Sequence, residues 1–195
     1  MTLFNPSYIL SINHLPFTIN HLPLHIDQLN RKVNIPANPQ RIISIVPSQT
    51  ELLYDLGLKE RIVAQTVFCV HPANEFKTAI KIGGTKKLDL EKIFSLKPDL
   101  IIANKEENEK SQIEELEKHF PVWISDIETI QDALDMINSI GKITQTQQKA
   151  LAIIDSINQA RAKFKSKQVI SMKVIYLLSL IHISEPTRLR RISYA

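Results

Sequence analysis

The chain has 195 residues, of which 44% are hydrophobic and 23% charged, with a formal net charge of +4. This is the composition of an ordinary globular protein of one domain or one and a half, and it excludes a disordered or low-complexity chain. No basic run is interleaved with aromatics, which excludes nucleic acid as the expected partner. No apolar run approaches about 18 residues, so no transmembrane helix is expected, and the single cysteine, Cys69, rules out an internal disulfide.

Residues 1–26 carry no Lys or Arg, and Pro6, Pro16 and Pro23 interrupt their apolar stretches. No secretory signal is recognisable there. The motif INHLP occurs at 12–16 and again at 19–23, and the segment is expected to be a leader set apart from the fold. His14, His21 and His25 lie within it without zinc-finger spacing.

From Asp27 the chain becomes orderly. Residues 27–35 (DQLNRKVNI) alternate about a polar Asn30-Arg31 turn, the pattern of a short hairpin. Residues 41–46 (RIISIV) form a nearly continuous β-branched run, as in a strand buried on both faces. Pro47 ends it, Ser48 with Glu51 reads as a capping box, and a helix over 49–56 stops at Gly57. Further strands are expected at 61–67, 99–103 and 121–124, with Trp123 in the core. Helices are expected at 90–96, at 110–118 with Ile113 and Leu116 inward, and at 129–140. In the last of these, Ile130, Ala133, Leu134, Ile137 and Ile140 fall at helical spacing, and Gly141 is expected to end it. Strands alternating with helices through short links predict a parallel α/β sheet with right-handed crossovers.

A long helix over 145–165 follows, with Leu151, Ile154, Ile157, Ala160 and Phe164 as a stripe. Such a helix spans roughly 30 Å. Residues 172–177 (MKVIYL) then read as the first strand of a second domain. Residues 178–188 (LSLIHISEPTR) and 192–195 (ISYA) match the in-frame translation of a transposase-type sequencing adapter, at the separation a barcode leaves. The expectation is that residues 178–195 are an adapter-derived tail outside the fold, carrying about half the net charge, and that the natural sequence breaks off near Leu177 as a fragment.

Two stretches together carry a family resemblance: RIISIVPSQTELLYDLGL at 41–58 and GGTKKLDLEKIFSLKPDLIIA at 83–103, with the long helix in the corresponding place. On them the chain resembles the class III, helical-backbone substrate-binding proteins of ABC importers, of the cobalamin and iron-siderophore type, over residues 27–177. The resemblance implies a Rossmann-like N-terminal lobe (27–143), a linking backbone helix (144–168) and the first strand of a truncated second lobe (169–177). It implies a binding protein rather than an enzyme, with no intrinsic cofactor. Its partners would be an ABC permease and a small-molecule metal chelate: a corrinoid, a ferric siderophore or a haem-like ring. A monomer is expected, and weak or absent binding if the second lobe is missing. The family location is periplasmic or membrane-associated; the lack of a visible signal keeps a cytoplasmic helical-backbone metal receptor as an alternative.

In open parallel sheets ligands lie beyond the carboxyl ends of the strands. Ser48 and Gln49, at a helix N-terminus, suit an anionic or amide oxygen, or simply cap the helix. By position, Phe68 matches a family loop that packs an aromatic against ligand. Cys69 and His71 in the same loop are candidate metal ligands, with a buried thiol and a surface histidine as the alternative. Gly84 and Thr85 offer close approach of backbone to ligand; cobalamin binders of this type carry an aromatic residue near Thr85, so the ligand stays open. Asn104 and Lys105 follow the third strand of the sheet. Glu91 corresponds to the acidic residue with which relatives dock on permease arginines, or is an ordinary first-turn helix acid. A rival of another class is a small α/β enzyme with Cys69 as nucleophile and His71 as base.

Overall fold

The computed structural model describes residues 22–72 and 79–165. The chain divides into two compact units, Met1–Ser156 and Ile157–Ala195. In the second, the described part is the last turns of one helix. The expected strand at 172–177, the adapter-like tail and the INHLP repeat lie mostly or wholly outside the described residues.

The first unit opens with an antiparallel ribbon of β1 (Leu24–Ile26) and β2 (Lys32–Asn34). It therefore begins before Asp27, inside the segment expected to be leader. Leu24 and Ile26 are both exposed, so no inward-facing periodicity marked them, and the pairing rests on backbone bonds. The turn is built by Asp27: its buried carboxylate accepts from the Leu29 and Arg31 N–H groups at 3.0 and 2.9 Å. Asn30 takes a left-handed φ of 60°, a conformation that Asn tolerates.

A five-stranded parallel sheet forms the centre, in the order β5 (Ile80–Lys81), β4 (Ile62–Gln65), β3 (Ile42–Ser44), β6 (Leu100–Asn104), β7 (Val122–Ser125). β3 and β6 are buried along almost their whole length, as their largely apolar runs lead one to expect. Ile43, Ile45, Ala64, Ile101, Ala103 and Ile124 join Ile82, Ile93, Ile113 and Leu116 from the crossovers in one core. Trp123 is 1% exposed, and its Nε1 donates to the Ile26 carbonyl at 3.3 Å. The outer edge of β7 meets the ribbon: Gln28 N–H donates to Ile124 O at 3.1 Å, and Arg31 Nη2 to Val122 O at 3.2 Å.

Helix α1 (Pro47–Asp55) starts earlier than expected. Its N-cap is Val46, without a side-chain cap bond, so the Ser48 capping box is not formed. Proline explains the shift: its fixed φ and missing N–H suit the first helical position. Gly57, at φ 78°, ends α1 as expected, and the Gly57 and Leu58 N–H groups return to the Tyr54 and Leu53 carbonyls. A short 3-10 turn (Lys59–Arg61) leads into β4. Helix α2 (Leu90–Leu96) is capped by Asp89, and α3 (Lys110–Glu117) buries Ile113 and Leu116.

Helix α4 (Ile130–Ile143) has a complete capping box between Thr129 and Asp132. Its buried stripe is Leu134, Met136, Ile137, Ile140 and Ile143, while Ile130 is 51% exposed on the first turn. Gly141 does not end α4 but lies inside it. Its role is close packing: a Cβ there would stand 2.4 Å from Ala150 Cβ. α5 (Gln147–Lys165) follows after Gln145 at φ 60°. Ala150 is fully buried, whereas Leu151 of the expected stripe is 46% exposed. None of the described helices is long and apolar enough to cross a membrane.

Candidate functional site

The strand order reverses between β3 and β6: the chain moves outward from β3 through β4 to β5, then returns to β6 and β7. Ligand crevices in open α/β sheets lie at the carboxyl ends of strands flanking such a switch. The segments at the carboxyl ends of β3, β4, β5 and β6 contain all but one of the expected site residues. The exception is Glu91, on the first turn of α2.

Ser48 is exposed on the first turn of α1. Gln49 turns inward and is 1% exposed; its Nε2 donates to Ser125 Oγ at the end of β7. Asn104 Nδ2 reaches the same hydroxyl at 3.0 Å, and Ser125 Oγ lies 3.2 Å from Ala103 O. Gln49 and Asn104 are thus joined beneath the surface through Ser125. Asn104 also shapes its own loop, where its Oδ1 accepts from the Glu106 and Glu107 N–H groups at 2.9 and 3.0 Å.

Lys105 points outward and pairs with Asp126 at 2.7 Å. The hydrogen bond it donates to the Asp126 carboxylate holds the ammonium above its ordinary pKa. The pair is solvated, so its energetic weight is small.

Phe68 is 59% exposed, between the exposed Val67 and Val70. Its ring lies directly over Gly84: a Cβ at position 84 would be 2.9 Å from Phe68 Cε2. The glycine supplies the flat backbone on which the ring rests. Thr85 is half-buried next in the turn.

Cys69 and His71 lie in different surroundings. The thiol is 1% exposed, 3.2 Å from Thr66 Oγ1 and donating to Thr50 Oγ1 at 3.2 Å. His71 is exposed, ahead of a cis peptide to Pro72. Their expected roles as paired metal ligands, or as nucleophile and base, give way to a buried thiol and a surface histidine. Among the described residues no group of three or more His, Cys, Asp or Glu side chains is placed to hold a metal. His25 lies in β1, where burial lowers its pKa. Glu91 is exposed, with no ion pair among the described residues.

One organising residue, Asn108, lies in the loop 104–108 expected to face the cleft, but the sequence assigns it no role of its own there. Asn108 is 5% exposed and sits where β3 and β6 diverge. Its Nδ2 donates to Ile45 O at 3.2 Å and Thr85 O at 3.1 Å, and its Oδ1 accepts from Asn104 N–H at 2.8 Å. In the sequence it is one polar residue of an ordinary acidic loop, and its three bonds are visible only in the folded chain. Two surface depressions lie away from this face. One of about 500 Å³, lined by Arg31, Glu117 and Phe120 among others, and one of about 440 Å³ beside Arg41 and Ile62 are both at the amino ends of strands.

The periplasmic binding protein family matches residues 42–175, which include the whole sheet and every loop just described. The chain belongs to that family. It is 31% identical over 151 residues to the uncharacterized ABC transporter substrate-binding lipoprotein YvrC of Bacillus subtilis, covering 72% of this chain and 48% of that protein. It is 33% identical over 121 residues to a vitamin B12-binding protein of Vibrio vulnificus, covering 61% of this chain and 44% of the relative. Among solved structures, the periplasmic vitamin B12 binding protein BtuF of Vibrio cholerae superposes with a TM-score of 0.61 at 26% identity, over 69% of this chain and 55% of that one. The chain thus spans about half the length of the relatives it matches. The family is one of binding proteins, and the α/β lobe with parallel sheet expected from the sequence is the fold observed.

Proposed function

We propose that the carboxyl-end face of the sheet is one wall of a ligand site in the substrate-binding component of an ABC importer. The observation that carries this is Phe68, an aromatic ring held out to solvent on the backbone of Gly84 at the ligand-binding end of a parallel sheet. A large exposed aromatic is costly to hydrate and is suited to a planar or greasy partner. The ligand class is a corrinoid or a ferric chelate of siderophore or haem-like type, with Ser48, Thr85 and Lys105 as polar neighbours on the same face. Two relatives named for vitamin B12 support the corrinoid end of that range. The protein acts as a monomer on the periplasmic side or tethered to the membrane. Glu91, exposed and unpaired among the described residues, offers a carboxylate to a basic permease surface.

Titration with cyanocobalamin, hemin and a ferric hydroxamate, followed by absorbance and calorimetry, tests the reading. The described residues supply one face of contact, so micromolar or weaker affinity is expected. Phe68→Ala should weaken the responding ligand about tenfold or more, the loss typical of an aromatic anchor. Saturable binding that is indifferent to Phe68→Ala would remove this face from consideration, and no saturable binding by any of the three would remove the ligand class.

A further inference from the structure

The turn that seats Phe68 is held by side chains from another part of the chain. Residues 84–87 close on themselves through two backbone bonds, Gly84 N–H to Lys87 O at 2.9 Å and Lys87 N–H to Gly84 O at 3.2 Å. Val67 N–H on Gly83 O at 2.9 Å ties the stem of the loop to the end of β4; side chains hold its tip above the sheet. Asn108 does so from below, with one Nδ2 proton on Thr85 O and the other on Ile45 O at the end of β3. Gln112, on α3, grips the far side: its Nε2 donates to Lys86 O at 2.8 Å, and its Oε1 accepts from Leu88 N–H at 2.7 Å. Lys86 returns the contact through its ammonium on Glu106 O.

We infer that Asn108 and Gln112 are positioning residues for the ligand face: together they set the place of the Gly84–Thr85 backbone, and through it the pose of the Phe68 ring. This rests on the proposed ligand role of that face. The chemistry is specific. An asparagine at 108 can donate twice and accept once in one plane, and all three demands are met here. Aspartate would keep the acceptor for Asn104 N–H but aim a carboxylate at two carbonyl oxygens. The same two side chains couple the loop after β6 to the turn after β5, so a change at one is felt at the other.

The test places para-fluorophenylalanine at position 68 of the full chain and reads its fluorine NMR signal without ligand, then with hemin and with cyanocobalamin. The variants are Asn108→Asp and Gln112→Leu; the second removes two bonds from a half-buried helix position and should leave the fold intact. A core control, Ile140→Val in α4, provides ordinary loss of stability. Both turn variants are expected to move or broaden the apo signal and to raise the dissociation constant of the responding probe about threefold to thirtyfold, while Ile140→Val changes neither. An apo signal unmoved in Gln112→Leu and in folded Asn108→Asp overturns the inference, as does an equal shift in Ile140→Val. If neither probe perturbs the wild-type signal but the turn variants do, the ligand reading fails and the positioning role stands.

Discussion

Gly141 and Ala150 touch backbone to methyl. A Cβ added at 141 would sit 2.4 Å from Ala150 Cβ, well inside van der Waals contact. Gly141→Ala should therefore cost about 1–3 kcal/mol, the range for overpacking a tight contact. An isolated helix would instead gain about 1 kcal/mol from the same change. Urea melts decide the sign, and adding Ala150→Gly should recover much of the loss. A single variant as stable as the parent would show that α4 and α5 can part without penalty.

Asp27 should be the most sensitive polar residue of the ribbon. Its side chain is fully buried and takes bonds from two backbone N–H groups and from Arg31 Nε and Nη2. Asp27→Ala leaves those donors unmatched beside a guanidinium that also bonds Glu117 and Val122 O. A loss of about 2–4 kcal/mol is expected. A loss below about 1 kcal/mol in chemical denaturation would mean that the ribbon is held by its strand pairing alone.

The start of α4 should be sensitive to acid. The Thr129 hydroxyl, then its backbone N–H, hold the Asp132 carboxyl below its ordinary pKa. A carboxyl depressed in the folded state contributes stability that is present above its unfolded value and lost as pH falls through its folded value. Midpoints in urea should thus decline below about pH 4, the range of a free aspartate. In Asp132→Asn the decline should be shallower. Identical pH slopes for the two proteins would show that the capping carboxylate titrates the same way folded and unfolded.

Cys69 should behave as a packed side chain. Enclosed by Thr50 and Thr66, it should react with iodoacetamide orders of magnitude more slowly than a free thiol, with the rate rising steeply in denaturant. Alkylation of the native chain at the rate of free cysteine would return the thiol to the surface, and with it the case for a nucleophile.

Much of this architecture was readable because its signals are local. The runs at 42–46 and 100–103 are apolar but for Ser44, and they became the central strand and one of its two neighbours. Gly57 stops α1 by a conformation that needs no distant partner. Errors arose where one residue type serves two purposes. Ser48 looked like a cap because of Glu51 three residues on, but Pro47 took the first helical position. Gly141 looked like a helix end, and its missing side chain is used for packing against Ala150. At the site, the loops follow from strand order, and Phe68 and Gly84 lie in the loops after β4 and β5. Asn108 was not singled out within its loop, and Gln112 and Ser125 were not foreseen, because these bonds join residues 23 to 76 positions apart, and no periodicity encodes such pairs. Cys69 and His71 were paired by nearness in sequence, which in a turning loop says nothing about which way each side chain faces.

The ribbon's grip on β7 has a further effect. Because Gln28 and Arg31 occupy the Ile124 and Val122 carbonyls, that flank has little free hydrogen-bonding capacity left with which to recruit a strand from a neighbouring molecule. On the opposite flank β5 is paired over only Ile80 and Lys81, too short a template for lateral growth. Pairing of a foreign strand along β7 is thus opposed by the chain's own ribbon, and Gln28→Pro would be the simplest way to undo that protection.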